Sequence, residues 1–589
     1  MQVGPRPQPG TGSRGSAVAV AGSSPLAERG LRVLPFAILG AATLAAHASS
    51  LSVALVGDDY RWVEKARSSP LAALLAPRAL FKNFYRPWSR ELHFAVLHRA
   101  FGLAPAPYHV ANLVLTFAAL SLAFVWIRRL AGTAIAGIAI AAAAALAPWQ
   151  LLNDWASGSQ DLWMMVWALA ALIAAQAGRA WWAATAFALA LLSKETAATV
   201  PLVAAAEGWL MQRRSARELA ARLTPMLLVA LAWLAIHPLL GGALWYARGA
   251  GPGPRAFGDT PPLAWLWQSA LSALQLDGHP APESGWRRAL IGAAPVAVAL
   301  SAFAWIASGR ARGQDSAAPT RRRIAALGGV WALCGWLPLA LPRLGWHAYY
   351  ALFGAMGAWL ALATLLVRSR AAVVASLCVL CALAAAQADT PSDDWSVGWF
   401  QRRAASFLEL TRADLMRLHP RLPARSRLYF SAVPAGTGLL PGGEESPPLR
   451  VWYGDSTLQA AYLSRYARRA ARDAAGRDYF FRFDPHRGWV EIVEGDETLG
   501  DGRGEDPAWR RDHELLAGCF ARADDWTRAE AEYGKLASAA PGDATYAFDA
   551  GLCACQGGRS ESARRWFERA AALPGADSTM IAAARLGCR

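Results

Sequence analysis

Apolar runs of bilayer-crossing length recur through the first two-thirds of this 589-residue chain and limit what it can fold into. A crossing helix needs roughly 17 to 25 apolar residues, because hydrocarbon offers no water to pair with an exposed backbone. Candidate spans lie at 33–56, 108–127, 131–148, 162–177, 180–194, 196–211, 224–244, 289–308, 324–342, 347–367 and 371–388, eleven in all. Only 17% of residues are charged and 54% are hydrophobic, whereas a soluble chain carries about a quarter charged. The chain reads as an all-α polytopic membrane protein. The core of its first run, "LPFAILGAATLAAHASS", has the form of a signal peptide. The long tail before it and the apolar extension to Val56 favour an uncleaved span.

Arginine sets the orientation. Every second loop is basic, with Arg128/Arg129, Arg179, Arg213/Arg214/Arg217/Arg222, Arg310/Arg312/Arg321/Arg322/Arg323 and Arg368/Arg370 set against only Glu218 and Asp315. The loop at 148–161, on the other side, has no Arg and carries Asp154 and Asp161. Positive loops stay inside, so the N-terminus is expected in the cytoplasm and the C-terminal segment outside. The formal net charge of +16 lies between apolar spans rather than on one soluble face, which argues against nucleic acid as a partner.

One loop departs from that pattern. Residues 57–106 fall outside, yet hold Arg61, Lys65, Arg67, Arg78, Lys82, Arg86, Arg90 and Arg99. Such a loop can grip phosphate or anionic headgroups, or form an interfacial helix with snorkelling arginines.

Four further segments follow from composition. Residues 1–30, rich in Gly, Ser, Pro and Ala, read as a disordered tail, and 31–389 as the transmembrane domain. Residues 390–505 read as mixed α/β, with "RLYFSAVPAG" a strand leading to a turn. In 506–589, Ala529/Ala563, Tyr533/Phe567 and Asp543/Asp577 repeat at 34 residues, the period of tetratricopeptide helix pairs. Of seven cysteines, three lie in apolar spans and four near the C-terminus without zinc-site spacing. Neither a disulfide framework nor a structural metal is expected.

The polar residues with chemical potential cluster on one side. "VALVGDDYRWVEK" places Asp58 and Asp59 at the outer end of the first span, followed by Tyr85-Arg86 and by His109 in "PYHVANL". The second outer loop adds Asp154 and Asp161, "LLSKET" adds Lys194 and Glu195, and "PRLGWHAYY" adds Arg343, His347 and Tyr349. A carboxylate, several cations and aromatic rings at an outer surface suit a lipid-linked sugar phosphate. Its phosphate is already a good leaving group, so the acceptor hydroxyl needs a base more than the leaving group needs an acid. Cations would steady the charge that develops on the phosphate. Adjacent carboxylates do not suit the facing acid and base of a glycoside hydrolase, which stand roughly 5 to 9 Å apart across the substrate. One of the pair is therefore expected to be the base and the other to orient a loop or accept hydrogen bonds; Asp58 is favoured as the base, with Asp59 as the other candidate. In a chain with four lysines, Lys194 suggests a compact, rotatable donor. Trp62, Trp88 and Trp155 are candidate sugar-stacking rings.

The order "GDDYRWV", "NFYRPWSRELHFAVLHRAFGLAPAPYHVANLVL", "WASGSQDLWMM", "LLSKETAATVPL" resembles the multi-pass GT-C glycosyltransferases. Within them it is similar to transmembrane, tetratricopeptide-containing O-mannosyltransferase-like proteins, over residues 33–390. The resemblance implies a GT-C-like catalytic domain and transfer of mannose or another hexose from a polyprenyl-phosphate donor. It also implies inversion at the anomeric carbon, with a first-loop Asp as base. Lys194, Arg86 and Arg343 would hold the donor phosphate. Glu195, which would hold Lys194, and Tyr85, His109, Asp154, Asp161, His347 and Tyr349 would orient the site. The acceptor would be a protein, glycan or lipid. Some GT-C enzymes use a divalent ion, but the mannosyl-phosphate-dependent ones resemble metal-free chemistry, so no cofactor or metal is expected. Two departures stand out: Pro107 replaces the family's Gly before Tyr108-His109, and Gln160 stands where Arg is common before Asp161. Two other classes fit parts of the pattern. A scaffold for envelope assembly would rest on the C-terminal repeats, and a flippase would carry ionisable residues near the bilayer midplane, whereas here they gather at span ends.

Overall fold

A computed structural model describes residues 25–76, 85–236, 262–277, 286–309, 318–340, 346–388, 390–392, 394–434, 436–469, 476–494 and 506–588. Arg343, Arg78, Lys82 and most of the expected N-terminal tail lie outside the described residues.

The apolar runs fold as helices. In order, α1 is Pro25–His47, α2 Asp58–Ser68, α3 Leu71–Leu74, α4 His93–Phe101 and α5 Pro105–Ala144. Then come α6 Pro148–Asp154, α7 Ser159–Gln176, α8 Ala180–Leu191, α9 Val200–Leu210 and α10 Ala216–Ile236. Further apolar helices occupy Pro262–Ala273, Trp286–Gly309, Ala318–Trp336, Leu352–Leu366 and Arg370–Ala388. Among the described residues, six helices are long and apolar enough to cross a membrane, and Ala180–Leu191 and Ala293–Ile306 are shorter apolar ones.

The count differs from eleven partly because α5 contains two expected spans. Its 40 residues would measure about 60 Å as one straight rod, twice the hydrocarbon thickness. Gly132, at φ 82° and ψ 170°, breaks the helix just after Arg128-Arg129. The chain then returns: Asn112 Nδ2 donates to the carbonyls of Leu152 and Trp155, at 2.8 and 3.0 Å.

Small residues bring helices close where apolar solvent gives no drive to association. Between Ala318–Trp336 and Leu352–Leu366, a Cβ on Gly335 would strike the backbone of Gly354, and one on Gly328 the backbone at Gly357 and Ala361.

Beyond the apolar helices, Gly398–Leu418 leads into a four-stranded sheet. Its strands are β1 Arg427–Ser431, β2 Gln459–Tyr462, β3 Asp478–Asp484 and β4 Gly488–Glu491, in the order β2-β1-β3-β4. β1 runs parallel to β2 and β3, while β3 and β4 pair antiparallel. Leu428, Phe430, Phe481 and Trp489 share one contiguous core with the apolar helices, which seats the sheet directly upon them.

The chain ends in antiparallel helices, Pro507–Arg522, Trp526–Ala539, Ala544–Gln556, Ser560–Ala571 and Ser578–Leu586, each packed on the next. Asp543 and Asp577, 34 residues apart, each cap a helix by accepting from Thr545 N and Met580 N. Ala529 and Ala563 are both fully buried, and Gly551 leaves room for the ring of Phe567. Arg528 ties this array to the sheet through Asp478 and Glu494. Contrary to the sequence expectation, Cys555 and Cys588 form a disulfide. Their separation of 33 residues matches no metal motif, and the fold alone brings them together.

Candidate active site

The two adjacent carboxylates have separate fates. Gly57, at φ 49°, turns the chain into α2, whose first turn carries Asp58 and Asp59 where the helix dipole favours negative charge. Successive helical residues point about 100° apart. Asp59 points inward and is fully buried. Its Oδ2 accepts from Val56 N at 3.0 Å, and its Oδ1 from Ser157 N at 2.8 Å and Ser157 Oγ at 2.5 Å. Burial pushes its carboxyl up to about 7, with those hydrogen bonds opposing. Asp58 points outward with 48% of its side chain exposed, 3.9 Å from Arg61. Desolvation raises its pKa above the ordinary 3.8, against the pull of Arg61, Arg90 and Arg86.

Beside them the chain forms a π-helical turn over Pro87–Leu92, a geometry frequent at functional sites. It starts at Arg86, which reaches two partners from the other outer loops. Its Nη2 donates to both oxygens of Glu195 at 2.8 and 2.7 Å, and its Nη1 to Gln160 Oε1 at 2.5 Å. Lys194 Nζ donates to both oxygens of Asp161 at 2.7 and 2.5 Å and lies 4.1 Å from the centroid of Tyr350 and 5.1 Å from that of Tyr349. The expected partnership is thereby corrected: Glu195 holds Arg86, and Asp161 holds Lys194. All four charged side chains are buried or nearly so. As a set they are formally neutral, which is how charges survive burial. Gln160, where a cation was expected from the resemblance, instead accepts from one.

Other expected site residues act as struts. His109, fully buried, sets Nδ1 2.6 Å from Asn153 O and Nε2 2.8 Å from Val53 O, bracing the end of the first apolar run against the 148–161 loop. Asp154, also fully buried, accepts from Ser50 Oγ, Gln150 Nε2 and Arg402 Nε at 2.6, 2.8 and 2.9 Å. Tyr85 donates to Leu75 O at 2.8 Å. His347 and Tyr349 are buried in an aromatic group with Trp155, Tyr350 and Trp395, the His347–Trp395 centroids 4.5 Å apart. Of the candidate stacking rings, Trp62 lies under Arg90 at 4.3 Å, Trp88 donates to Leu189 O, and Trp155 is buried.

Sequence reasoning missed a second charged group. Glu91 Oε1 accepts from Arg90 Nη2 at 2.6 Å and Lys65 Nζ at 2.7 Å. The "RPWSREL" string held the signal, because two arginines and a glutamate in so short a stretch cannot all face lipid. Among the described residues no group of three or more His, Cys, Asp or Glu could hold a metal ion.

No family model matches this sequence, and no curated protein does. Among solved structures, ArnT from Cupriavidus metallidurans bound to undecaprenyl phosphate is similar over 74% of this chain and 85% of that one. The identity is 16% and the TM-score 0.35. The apo state of ArnT is similar over 73% and 85%, at 15% identity and the same TM-score.

Proposed function

We propose that this chain is a membrane glycosyltransferase. It moves mannose or another hexose from a polyprenyl-phosphate-linked donor to an acceptor hydroxyl on the extracytoplasmic side. The carrying observation is the half-exposed Asp58 in the field of Arg61, Arg90 and Arg86, beside the buried Arg86–Glu195 and Lys194–Asp161 pairs. In this reading the acceptor oxygen attacks the anomeric carbon from the face opposite the phosphate. Its proton passes to the Asp58 carboxylate as the C1–O bond breaks, and the electron pair leaves on the phosphate oxygen. Lys194 has three N–H donors and one carboxylate partner, so it can turn toward that oxygen while keeping Asp161. Arg86 and Arg343 are proposed to share the phosphate. Asp59, buried on Ser157, fixes α2 rather than taking the proton.

The Cys555–Cys588 disulfide supports an oxidising compartment for the C-terminal segment, and so the outward orientation. We read the terminal helix pairs as tetratricopeptide-like and as the contact for a protein partner or acceptor.

The test measures release of polyprenyl phosphate from a polyprenyl-phosphate-hexose by the purified protein added to host membranes, which hold the acceptor. Asp58→Asn should lower the rate about 100-fold or more. In the native protein, kcat/KM should fall as pH drops through the raised pKa of Asp58, above 3.8, because the base must be ionised. Wild-type rates and pH profile in Asp58→Asn would refute the mechanism.

A further inference from the structure

A cavity of about 300 Å³ lies between α6, the end of helix Arg370–Ala388 and the 390–398 connector. Gln150, Asp277, Trp346, Gln387, Asp394 and Ser396 line it. The segment 346–350 divides this cavity from the cationic centre. Trp346 and Ala348 contribute to the cavity wall, while Tyr349 and Tyr350 face Lys194.

We infer that this cavity binds one neutral pyranose ring, apart from any phosphate at Arg86 and Lys194. Four observations converge on that ligand class. The volume is at the lower end of small-ligand sites. The described lining includes two carboxylates and the Gln387 amide, whose Nε2 is held by Gln275 O, but no Lys or Arg, which suits hydroxyls better than phosphate. Trp346 is half-buried with its Nε1 fixed on Ser269 Oγ at 3.0 Å, so its ring is held for stacking against sugar C–H groups. The fourth is Ser396, only 3% exposed, whose hydroxyl is buried without a hydrogen-bond partner. A buried hydroxyl left unpaired costs free energy that a ligand hydroxyl can recover. Asp394 Oδ1 is already engaged by the backbone N–H of Ser396 at 2.8 Å, which fixes the Asp394 side chain beside Ser396 at the wall. A cation is the weaker occupant, because no metal-sized group of ligands forms among the described residues.

Saturation-transfer NMR on the full-length protein in lipid nanodiscs tests this directly, with methyl α-D-mannopyranoside and methyl β-D-galactopyranoside as probes and glucose 1-phosphate as the anionic control. At least one methyl glycoside should bind saturably. Ser396→Phe, which fills the cavity, and Gln387→Leu should each weaken that binding tenfold or more, while Lys194→Gln leaves it unchanged. Glucose 1-phosphate binding should be insensitive to Ser396→Phe. Thermal unfolding checks each variant, and if Ser396→Phe does not fold, Gln387→Leu and Asp394→Asn decide. The inference fails if neither glycoside binds or if binding survives the folded cavity variants. Loss of glycoside binding in folded Lys194→Gln would also overturn it, by placing the sugar at the cationic centre. These readouts need no transfer, so they stand or fall separately from the proposed reaction.

Discussion

At the scale of single residues, Asp58 and Asp59 show how neighbours in sequence divide their work. The sequence marks both as costly charges at the end of a span, and both as candidates for a base. What separates them is a contact 98 residues away, Ser157, which no local pattern announces. Asp59 carries a stability prediction. Its pKa in the folded chain, about 7, lies above the ordinary 3.8. The folded state therefore keeps a proton that the unfolded chain gives up. The stability from this site is full below 3.8 and is lost as pH rises through about 7. Asp59→Asn cannot titrate, so it should flatten the fall of the unfolding midpoint between pH 4 and 7. It also turns an amide N–H toward the Val56 N–H, at a cost of about 1–3 kcal/mol. Thermal scans across that range check both effects, and a midpoint profile identical to wild type would show that Asp59 is not held as described.

At the scale of elements, length and hydropathy read the apolar helices well but cannot read their connections. The runs 108–127 and 131–148 were separable because Arg128-Arg129 interrupts them, yet Gly132 alone decides that the chain doubles back. Pairing among the outer clusters was legible only as proximity. "SKET" and "SGSQD" announce a cation and acids without saying which meets which, because the pairing is made between segments 33 and 109 residues apart. The backbone angles at Gly132 are ones that side-chain-bearing residues adopt at a cost of about 1–3 kcal/mol. No atom lies near the position a Cβ would occupy there, so Gly132→Ala isolates the backbone term from any clash. That variant should lower the unfolding midpoint in detergent by the equivalent amount while leaving the site's chemistry alone. A midpoint equal to wild type would mean that the turn after Arg129 does not use this conformation.

At the scale of the whole molecule, the segment after residue 398 is fastened at several points to α2 and α6. Arg450 pairs with Glu64, Arg67 donates to Gly454 O at 2.8 Å, and Arg402 pairs with Asp154 at 2.9 Å. Only the last of these anchors a carboxylate that is fully buried. Asp154 keeps donors from Ser50 and Gln150 when Arg402 is removed, but it loses the Arg402 cation. Breaking a buried pair costs about 3–5 kcal/mol, and Arg402, one-third exposed, brings that down to about 2 kcal/mol. Arg402→Met should therefore destabilise by about that amount, whereas Asp154→Asn alone removes the charge that needs compensation. The double variant should be less destabilised than the sum of the two single variants, by about 1 kcal/mol or more, because both act on one interaction. The same variant should also admit protease at the 390–398 connector, which spans the bundle and the helix Gly398–Leu418 on which Arg402 sits. Strict additivity in the cycle, with unchanged cleavage, would mean that the segment after residue 398 is held by its apolar core and that Asp154 and Arg402 merely lie near each other. Coupling with faster cleavage would mean that the ion pair sets the pose of the segment that carries Gly438 against Gly57. Gly57 stands one residue before Asp58, so a loosened Gly438 contact should also slow the proposed sugar transfer in step with cleavage.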